Sequence, residues 1–398
     1  MHDRLIACDL LYRRVWVSVV NADSEPVVIE AIRTPQGRRD GVFAALTSEE
    51  LSVTLVNEIL ARTGLTGEDV DDLKWGCARP EGEQGSNIAR VVALTSELGP
   101  SVPGTTVDRL CASSAETIMN AADAIRAGMR DCIIAGGVEN MSRVQRKEEI
   151  DIYAGIRSRY DVDNLWMGST AEEVARRHDI SRENQDAYSA REQQRAVAAT
   201  KAGRFDDEIL PVHTGDELVD TDEGLRPGTT VESISGLGPA FKDGGTVTAA
   251  NASQISDGAS ALLVTSRAFA EQYGLDPIAA IGMHDVAGVD PEVMGIGPIP
   301  AVRGLMERAG TTIDDYGLVE LNEAFASQTL YCQQELGIPS DILNVNGGAI
   351  AIGHPLGASG ARLPVTLIHE MHKRDVARGI STQCVGYGQG GAIEFSRV

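Results

Sequence analysis

The sequence predicts an α/β fold made of two similar, layered halves, with a loop domain inserted into the first half. Short apolar segments of strand character alternate with longer segments of helical period, as when helices pack on a sheet. Only 4% of the 398 residues are aromatic, whereas 42 are glycine, so small aliphatic side chains and tight turns are expected to build the core. One strand–helix–strand unit also occurs twice along the chain.

The first half is predicted to begin with a buried strand and a capped helix. Residues 26–31 form a short apolar run that is typical of a buried strand. Residues 46–63 have helical period, and Thr47 precedes Glu49 and Glu50. This order places a capping hydroxyl and two acids at the positive end of the helix.

The first copy of the repeated unit surrounds Cys111. Residues 105–108 are predicted to form a strand that runs into this cysteine. Residues 112–129 are mostly small or helix-forming, which indicates a helix buried on most sides. A strand over residues 131–135 follows, and the glycines at 136 and 137 are expected to close it.

The second copy lies near the C-terminus. Residues 343–346 are predicted to form a strand that leads into a glycine turn, followed by a helix over about residues 359–373. A strand over residues 379–384 comes next, and it is closed by a glycine-rich run. The pattern of strand, reactive residue, buried helix, strand and glycine turn therefore indicates a duplication.

These elements suggest the following division of the chain. Residues 1–24 are expected to be an N-terminal extension outside the core. Residues 25–275 form the first half and residues 276–398 the second half. Within the first half, residues 142–242 are rich in Arg, Glu and Asp, which favours polar surface helices and long loops, a candidate substrate lid or clamp.

The net charge excludes some partners. A formal charge of −23 argues against nucleic acid or an anionic membrane as the main partner. Of the 35 basic residues only five are Lys, so an acidic, lysine-poor surface adapted to high salt is one interpretation. Codon bias acting on an ordinary acidic enzyme is the other.

The cysteines and the hydropathy pattern predict a cytoplasmic protein. The six cysteines have neither CxxC pairing nor zinc spacing, so we expect reduced thiols and no metal site. The apolar stretch over residues 5–20 is interrupted by Asp9, Arg13 and Arg14, so neither a signal peptide nor a membrane span is predicted there. No later segment reaches membrane-spanning length.

Two residues have the chemistry of a nucleophile and its base. Cys111 falls at a predicted helix start, where backbone N–H groups and the helix dipole should lower the pKa of a thiol. A small buried core cysteine would fit the same position. His354 lies between Gly353 and Pro355, which fixes the orientation of an imidazole that could act as the base for such a thiol. A histidine held in a plain turn is the alternative.

Two further segments could stabilise negative charge. Cys384 ends a predicted strand and opens a glycine-rich run that includes Gly386, whose free backbone N–H could face a developing oxyanion. Phosphate loops and plain turns look similar, so this run alone is weakly specific. Asn322 follows an apolar segment and could hold a water or a carbonyl oxygen, or cap the next helix.

Together these segments resemble the thiolase family in order and in spacing, over nearly the whole chain from about Pro26. The resemblance extends to five further motifs, at residues 33–35, 107–113, 136–142, 167–172 and 251–259. It implies the five-layered α/β/α/β/α thiolase fold. It also implies reversible cleavage of a 3-ketoacyl-CoA, or the reverse Claisen condensation, by a ping-pong mechanism.

The resemblance implies a role for each reactive residue. Cys111 would carry the acyl group as a thioester, and His354 would activate it and help to bind the thioester oxygen. Cys384 would exchange the α-proton of acetyl-CoA. Asn322 would hold a water in one oxyanion site, and the backbone N–H groups of Cys111 and Gly386 would form the other.

Coenzyme A is implied as a substrate, with no permanently bound cofactor. The positions that match its contacts are Met167, Arg226, Ser233, Phe241, Ala249, Ser253 and Phe325. Three departures bear on acyl chain length: Trp166 before Met167, Gln254 after Ser253, and Tyr387 inside the glycine run. They favour a general 3-ketoacyl-CoA thiolase over a strict acetoacetyl-CoA enzyme.

Two rival functions remain to be weighed. A ketoacyl synthase shares the layered fold and a helix-start cysteine but condenses with histidines, so Cys384 favours a thiolase. A non-catalytic CoA-binding descendant would have lost Cys111, His354 or Cys384, and all three are present. By family analogy we expect a homodimer or homotetramer.

Overall fold

A computed structural model describes residues 22–144 and 154–398. The expected N-terminal extension therefore lies outside the described residues, apart from a short 3-10 turn at Ala22–Ser24. Within the described ranges the strands are β1 Pro26–Arg33, β2 Gly37–Arg38, β3 Asp72–Gly76, β4 Gly104–Val107, β5 Cys132–Asn140, β6 Val212–Thr214, β7 Glu217–Val219, β8 Ser256–Ser266, β9 Ala279–Gly288, β10 Leu318–Leu321, β11 Arg378–Val385 and β12 Gln389–Ser396.

The helices of the same ranges connect and cover these strands. They are α1 Ser48–Thr63, α2 Ile88–Thr95, α3 Ser113–Arg126, α4 Ala154–Arg157, α5 Met167–Arg177, α6 Arg182–Lys201, α7 Val231–Ser235, α8 Arg267–Tyr273, α9 Pro298–Ala309, α10 Ala326–Leu336, α11 Ala349–Ile352 and α12 Leu356–Arg374. The predicted cap of α1 is confirmed, because Thr47 and Glu50 form a capping box.

The large sheet has two portions with the same pairing pattern. Its order is β10-β11-β12-β9-β1-β8-β5-β3-β4, with β2 attached to β8. In one portion β3 and β5 are parallel, whereas β5–β8 and β8–β1 are antiparallel. In the other β10 and β11 are parallel, whereas β11–β12 and β12–β9 are antiparallel. The portions meet at a two-residue pairing of β1 with β9, so the duplicated halves are confirmed.

Apolar packing separates five layers. The helices α1 and α2 cover one face of the first portion of the sheet. The opposite face packs on α3 and α12, which also contact the second portion of the sheet. The helices α9 and α10 cover the outer face of that second portion. The α/β/α/β/α architecture is therefore present, with α3 and α12 buried at its centre.

Two local predictions were wrong. Gly136 and Gly137 lie inside β5 rather than at its end. A Cβ at Gly136 would lie 2.3 Å from the Ser260 carbonyl oxygen, so glycine serves close backbone packing here and not a turn. Residues 343–346 form a single parallel bridge between Val319 and Leu343 instead of a strand, since Asn344 has a positive φ of 43° that ends the extended path.

The topology brings the reactive segments to one edge. The strands β4, β10 and β11 point the same way within their portions, and the chain leaves their carboxyl ends near Cys111, Asn322 and Cys384. Residues 145–153 of the expected insertion lie outside the described part of the chain, and the rest of it contains α4–α7 and the β6–β7 ribbon. None of the described helices is long and apolar enough to cross a membrane.

Candidate active site

Cys111 lies in a tight turn between β4 and α3. It is the middle residue of a 3-10 turn, Leu110–Ala112, that leads directly into α3. Leu110 has a φ of 48°, an unusual conformation for a residue with a branched side chain. The backbone N–H groups of Cys111 and Gly386 lie near enough to the Cys111 sulfur to favour its thiolate. The predicted position of this thiol at a helix start is therefore present.

The expected lowering of the Cys111 pKa is wrong for the free enzyme. Burial raises the pKa of this thiol to about 11, despite the two backbone N–H groups that favour the thiolate. The buried carboxyl of Glu139 opposes the thiolate as well. Desolvation thus exceeds the helix-start effect, and a base is needed to remove the proton.

His354 is a buried imidazole with both ring nitrogens occupied. Its Nδ1 lies 2.6 Å from the Ser359 hydroxyl, and its Nε2 lies 3.3 Å from Asn322 Nδ2. Ser359 donates its own hydrogen to the Pro355 carbonyl at 2.8 Å, so its oxygen accepts from Nδ1–H. This assigns the neutral tautomer in which Nε2 carries the lone pair.

The protonation of His354 agrees with that tautomer. Burial, with the Arg362 guanidinium nearby, lowers the pKa of His354 to about 3. The imidazole is therefore neutral and able to accept a proton at physiological pH. Its backbone N–H donates to Gln254 O at 3.0 Å, which fixes the loop against the segment that follows Ser253.

Asn322 sits at the carboxyl end of β10. Its backbone N–H donates to Thr382 O on β11 at 2.9 Å, so the side chain is held beside the strand that carries Cys384. The side chain is fully buried, and its Oδ1 accepts no hydrogen bond from the described residues. A buried amide oxygen of this kind suits a small donor such as a water.

Cys384 is buried in an apolar cluster near the end of β11. Met167, Met294 and Phe325 belong to the same cluster. Burial raises the pKa of Cys384 well above its usual range, and charge on Cys111 raises it further. The two sulfurs are thus close enough to interact, and Cys384 is a protonated thiol at rest.

Gly386 allows the two cysteine loops to approach each other. A Cβ at Gly386 would lie 2.9 Å from a methyl carbon of Leu110 and 3.7 Å from the sulfur of Met167. Any side chain here would push the Cys111 turn away from the loop that donates to its sulfur. The glycine is required by this close packing.

Two of the predicted CoA-contacting residues, Met167 and Phe325, pack with Cys384, and two more contact their neighbours. Ser253 donates its backbone N–H to Ala324 O at 3.0 Å, next to the buried ring of Phe325. Phe241 meets Phe325 edge to face at a centroid distance of 5.9 Å. Phe241 also lies over Gly168, beside Met167.

The other three predicted contacts lie on the inserted segment or at its edge. Arg226 is exposed and anchored by its backbone N–H to Gln193 of α6 at 3.0 Å. The Ser233 hydroxyl takes part in the capping box of α7 with Thr230. Ala249 is exposed. These contacts do not by themselves join the three residues to the cluster around Cys384.

Sequence reasoning missed two residues of the site. Ser359 sets the tautomer of His354. It lies five residues after His354, on the first turn of α12, and this spacing could have identified it in the sequence. Glu139 accepts backbone N–H groups from Ala78 at 2.9 Å and Gly357 at 2.9 Å, which fastens the start of α12 to a neighbouring loop. Burial raises the pKa of Glu139 to about 7.

The described residues contain no group of three His, Cys, Asp or Glu side chains arranged to hold a metal ion. The arrangement instead provides one thiol with two backbone donors, a neutral imidazole, a second thiol and an oriented amide. These groups suit covalent acyl transfer coupled to proton transfer at carbon.

Comparison with known proteins agrees with this chemistry. The model of the thiolase N-terminal domain matches residues 26–268, and that of the thiolase C-terminal domain matches residues 275–397. A 3-ketoacyl-CoA thiolase of Pectobacterium carotovorum is 46% identical over 383 residues, which cover 94% of this chain and 99% of the relative. One from Erwinia tasmaniensis is 47% identical over 384 residues, with the same coverage.

The fold has a similar solved counterpart. The crystal structure of the Bacillus anthracis acetyl-CoA acetyltransferase superposes with a TM-score of 0.87 at 36% sequence identity, covering 94% of this chain and 99% of that one. Both domain models match, and the relatives align along nearly the full length of the chain, so all of these comparisons indicate the same family. The chain belongs to the thiolase family and is an acyltransferase.

Proposed function

We propose that this enzyme catalyses the reversible, CoA-dependent cleavage of 3-ketoacyl-CoA, or the reverse condensation of acyl-CoA with acetyl-CoA. The single observation that carries the proposal is the contact set of His354. A neutral imidazole is fixed by Ser359 and contacts Asn322. Asn322 is bonded to Thr382 on the strand that carries Cys384, and charge on Cys111 acts on the Cys384 thiol. This arrangement could provide a nucleophile for C3 and a proton donor for C2 of a 3-ketoacyl thioester.

In the cleavage direction Cys111 is the nucleophile. His354 Nε2 accepts the thiol proton, and the sulfur attacks the C3 carbonyl carbon of the substrate. The C2–C3 bond then breaks, and the Cys384 thiol gives its proton to the departing carbon of acetyl-CoA. The thiol of a second CoA gives its proton to the Cys384 thiolate and attacks the acyl-enzyme thioester, which releases the shortened acyl-CoA. The departing Cys111 thiolate takes its proton back from His354.

Two sets of donors would stabilise the oxyanions. The backbone N–H groups of Cys111 and Gly386 lie beside the Cys111 sulfur, where the oxygen of the acyl-enzyme thioester would form. Asn322 and His354, with a water held by the unsatisfied amide oxygen, would serve the enolate oxygen. This division follows the roles that the family resemblance implies.

Coenzyme A is proposed as substrate rather than as a resident cofactor. Met167, Phe241, Ser253 and Phe325 would line the pantetheine and acyl path. Met167 and Phe325 pack with Cys384, and the other two contact Phe325 or its neighbour Ala324. Arg226, Ser233 and Ala249 would hold the nucleotide on the inserted segment. Arg226 would have to offset the repulsion of a polyanion by a chain of charge −23.

Several finer points belong to the same proposal. The relatives named 3-ketoacyl-CoA thiolase favour a general chain-length range, as do Trp166 and Tyr387, which are partly exposed. A strict acetoacetyl-CoA thiolase is the alternative. We also propose a cytoplasmic homodimer or homotetramer, with a loop domain at 142–242. The proposed division of the chain at about residue 275 is supported by the bounds of the two family matches.

Thiolysis assays test the substrate class. Purified enzyme is given CoA and 3-ketoacyl-CoA substrates of increasing chain length, in low and in high salt, and loss of the substrate is followed. Activity on several chain lengths is expected. Activity on acetoacetyl-CoA alone would favour the strict enzyme, and absence of thiolysis with every substrate would contradict the proposal.

A further inference from the structure

Glu323 is a buried carboxyl group beneath the site. It follows Asn322 at the end of β10 and is fully buried. Its Oε1 accepts from the Tyr188 hydroxyl at 2.7 Å and from Asn344 Nδ2 at 2.8 Å. Its Oε2 accepts from the backbone N–H of Ile350 at 3.1 Å. Glu323, the residue next to Asn322, is thus hydrogen-bonded to three separate segments of the chain.

One of those segments is the loop that carries His354. Ile350 lies in α11, which ends two residues before His354. Gly348, at the start of the same loop, would place a Cβ 2.3 Å from the Glu323 carboxyl carbon. The loop therefore packs directly on this carboxyl group, and the distance between the loop and the end of β10 depends on the contact with Glu323.

A second buried carboxyl lies beside the first. Glu192 is one helical turn after Tyr188 on α6 and is also fully buried. Its Oε1 accepts from Arg191 Nε at 2.9 Å and from Arg195 at 3.3 Å. Its Oε2 is buried and, among the described residues, receives no donated hydrogen bond, although the Glu323 carboxyl lies within hydrogen-bonding reach.

A proton between the two carboxyls accounts for this geometry. Two ionised carboxylates side by side in a buried site would repel each other, and Glu192 Oε2 would lack any donor. A hydrogen on that oxygen donates to Glu323 and removes both problems. Burial and the neighbouring Glu323 raise the pKa of Glu192 well above its usual range, which agrees with that arrangement.

We propose that Glu192 and Glu323 share one proton and act as positioning residues, which hold the His354 loop against the end of β10. Glu323 is the anchor of the loop, and Glu192 is the neutral donor that keeps the pair at a single negative charge. The proposal rests on the role of His354 proposed above. It also explains why α6 of the inserted segment is tied to the reactive edge.

The first test compares Glu323→Gln with Glu208→Gln. A glutamine amide has one acceptor oxygen where the carboxylate has two, so either the Ile350 N–H or the Tyr188 and Asn344 donors lose their acceptor. The loop should therefore shift and kcat should fall about 10- to 100-fold, with KM for CoA changed by less than about threefold. Glu208 is an equally buried carboxyl, bonded to Arg33 and Thr366. Its variant should lose thermal stability with kcat kept within about twofold.

The second test separates a shared proton from a simple ion pair. Glu192→Leu removes the donor and should lower kcat, whereas Glu192→Gln restores a donor and should recover most of it. A Gln variant as impaired as the Leu variant would overturn the shared proton. Infrared spectra add a direct readout that needs no activity: wild type minus Glu192→Gln should show a protonated carboxyl band at neutral pH, and absence of that band contradicts the pair.

The outcomes distinguish this proposal from the proposed function. If His354→Ala is inactive but Glu323→Gln keeps the wild-type kcat, or loses no more than Glu208→Gln, the positioning role is wrong. If His354→Ala retains full thiolysis, the catalytic role of the imidazole fails instead. If Glu323→Gln does not fold, the Glu192 variants and the infrared band still decide.

Discussion

At the scale of single residues, the site is organised by hydrogen bonds that fix protons. Ser359 gives its hydrogen to a backbone carbonyl and can therefore only accept from His354 Nδ1. This leaves Nε2 as the lone-pair nitrogen toward Asn322. The two thiols differ in surroundings, since Cys111 has two backbone donors and Cys384 lies among apolar side chains. Their roles can therefore be tested separately.

The first prediction concerns the two cysteines. Cys111→Ala should form no acyl-enzyme with labelled acyl-CoA, because the nucleophile is gone. Cys384→Ala should still be acylated, but its carbon–carbon step should slow by about 10²- to 10⁴-fold, the usual contribution of a positioned acid or base. Mass spectrometry of the acylated protein and a steady-state assay measure both. Label found on the Cys111→Ala protein would falsify the nucleophile assignment.

The second prediction concerns pH and stability. The pKa of His354 is lowered to about 3 in the folded chain, whereas an unfolded imidazole titrates near pH 6.5. The unfolded chain thus binds the proton first, so this contribution to stability is complete above pH 6.5 and is lost as the pH falls toward 3. At pH 5 the loss is about 2 kcal/mol.

Urea unfolding at pH 7 and pH 5 measures this effect. The free energy of unfolding should fall by about 2 kcal/mol less in His354→Gln than in the wild type over that interval. The comparison between the two proteins cancels the contributions of other titrating groups. Glu139 and Glu320 are examples, since their raised pKa values make the protein more stable as the pH falls. An identical pH dependence in both proteins would show that His354 is not a buried neutral base.

At the scale of elements, glycines set the distance between neighbouring strands and between the sheet and a helix. Gly136 in β5 faces Ser260 O and the ring of Trp75 at distances that no Cβ could occupy. Gly137 likewise faces the backbone of Gly357 at the start of α12. The helix that follows His354 can therefore approach β5 closely because Gly137 lacks a side chain, whereas Gly136 allows the close approach of the neighbouring strands.

The third prediction tests that close approach. Gly136→Ala should destabilise the protein by about 1–3 kcal/mol or more, because the methyl group forces the strand away from β8. Gly236 is a matched control with a φ of −78° and open space around its Cα. Gly236→Ala should change stability by less than about 0.5 kcal/mol. Equal urea midpoints for both variants would contradict the packing account.

At the scale of the whole molecule, a buried arginine pairs with carboxylates that come from distant parts of the chain. Arg33 on β1 is fully buried and pairs with Glu208 at 2.7 Å and with both oxygens of Asp222. Glu208 also binds Thr366 of α12, so the network links the inserted segment to both halves. The planar guanidinium suits this two-oxygen contact better than an ammonium group would.

The fourth prediction concerns salt. A net charge of −23 makes surface carboxylates repel one another, and added ions screen that repulsion. The melting temperature should therefore rise from low to molar KCl, more than it does for a homologue of near-neutral charge. Equal melting temperatures across the series would remove the interpretation of a salt-adapted surface and leave codon bias.

Local patterns predicted most of the fold because they depend on neighbouring residues. The apolar run at residues 26–31 and the cap at Thr47 both lie where expected, in β1 and at the start of α1. The glycines of β5 were misjudged because a turn and a close packing contact demand the same residue. Only the positions of the segments that pack against β5 distinguish the two.

By itself, the sequence determined the α/β class, the duplicated halves and the reactive residue types, since these follow from periodicity and from motifs within short segments. Tertiary structure alone decided the protonation of the site. A thiol pKa depends on how much water the surrounding layers exclude. Glu139, which acts on the Cys111 thiol, and Ser359 and Glu323, which hold His354 and its loop, come from segments far apart in the chain. Desolvation is a property of the packed molecule, and no short stretch of residues encodes it.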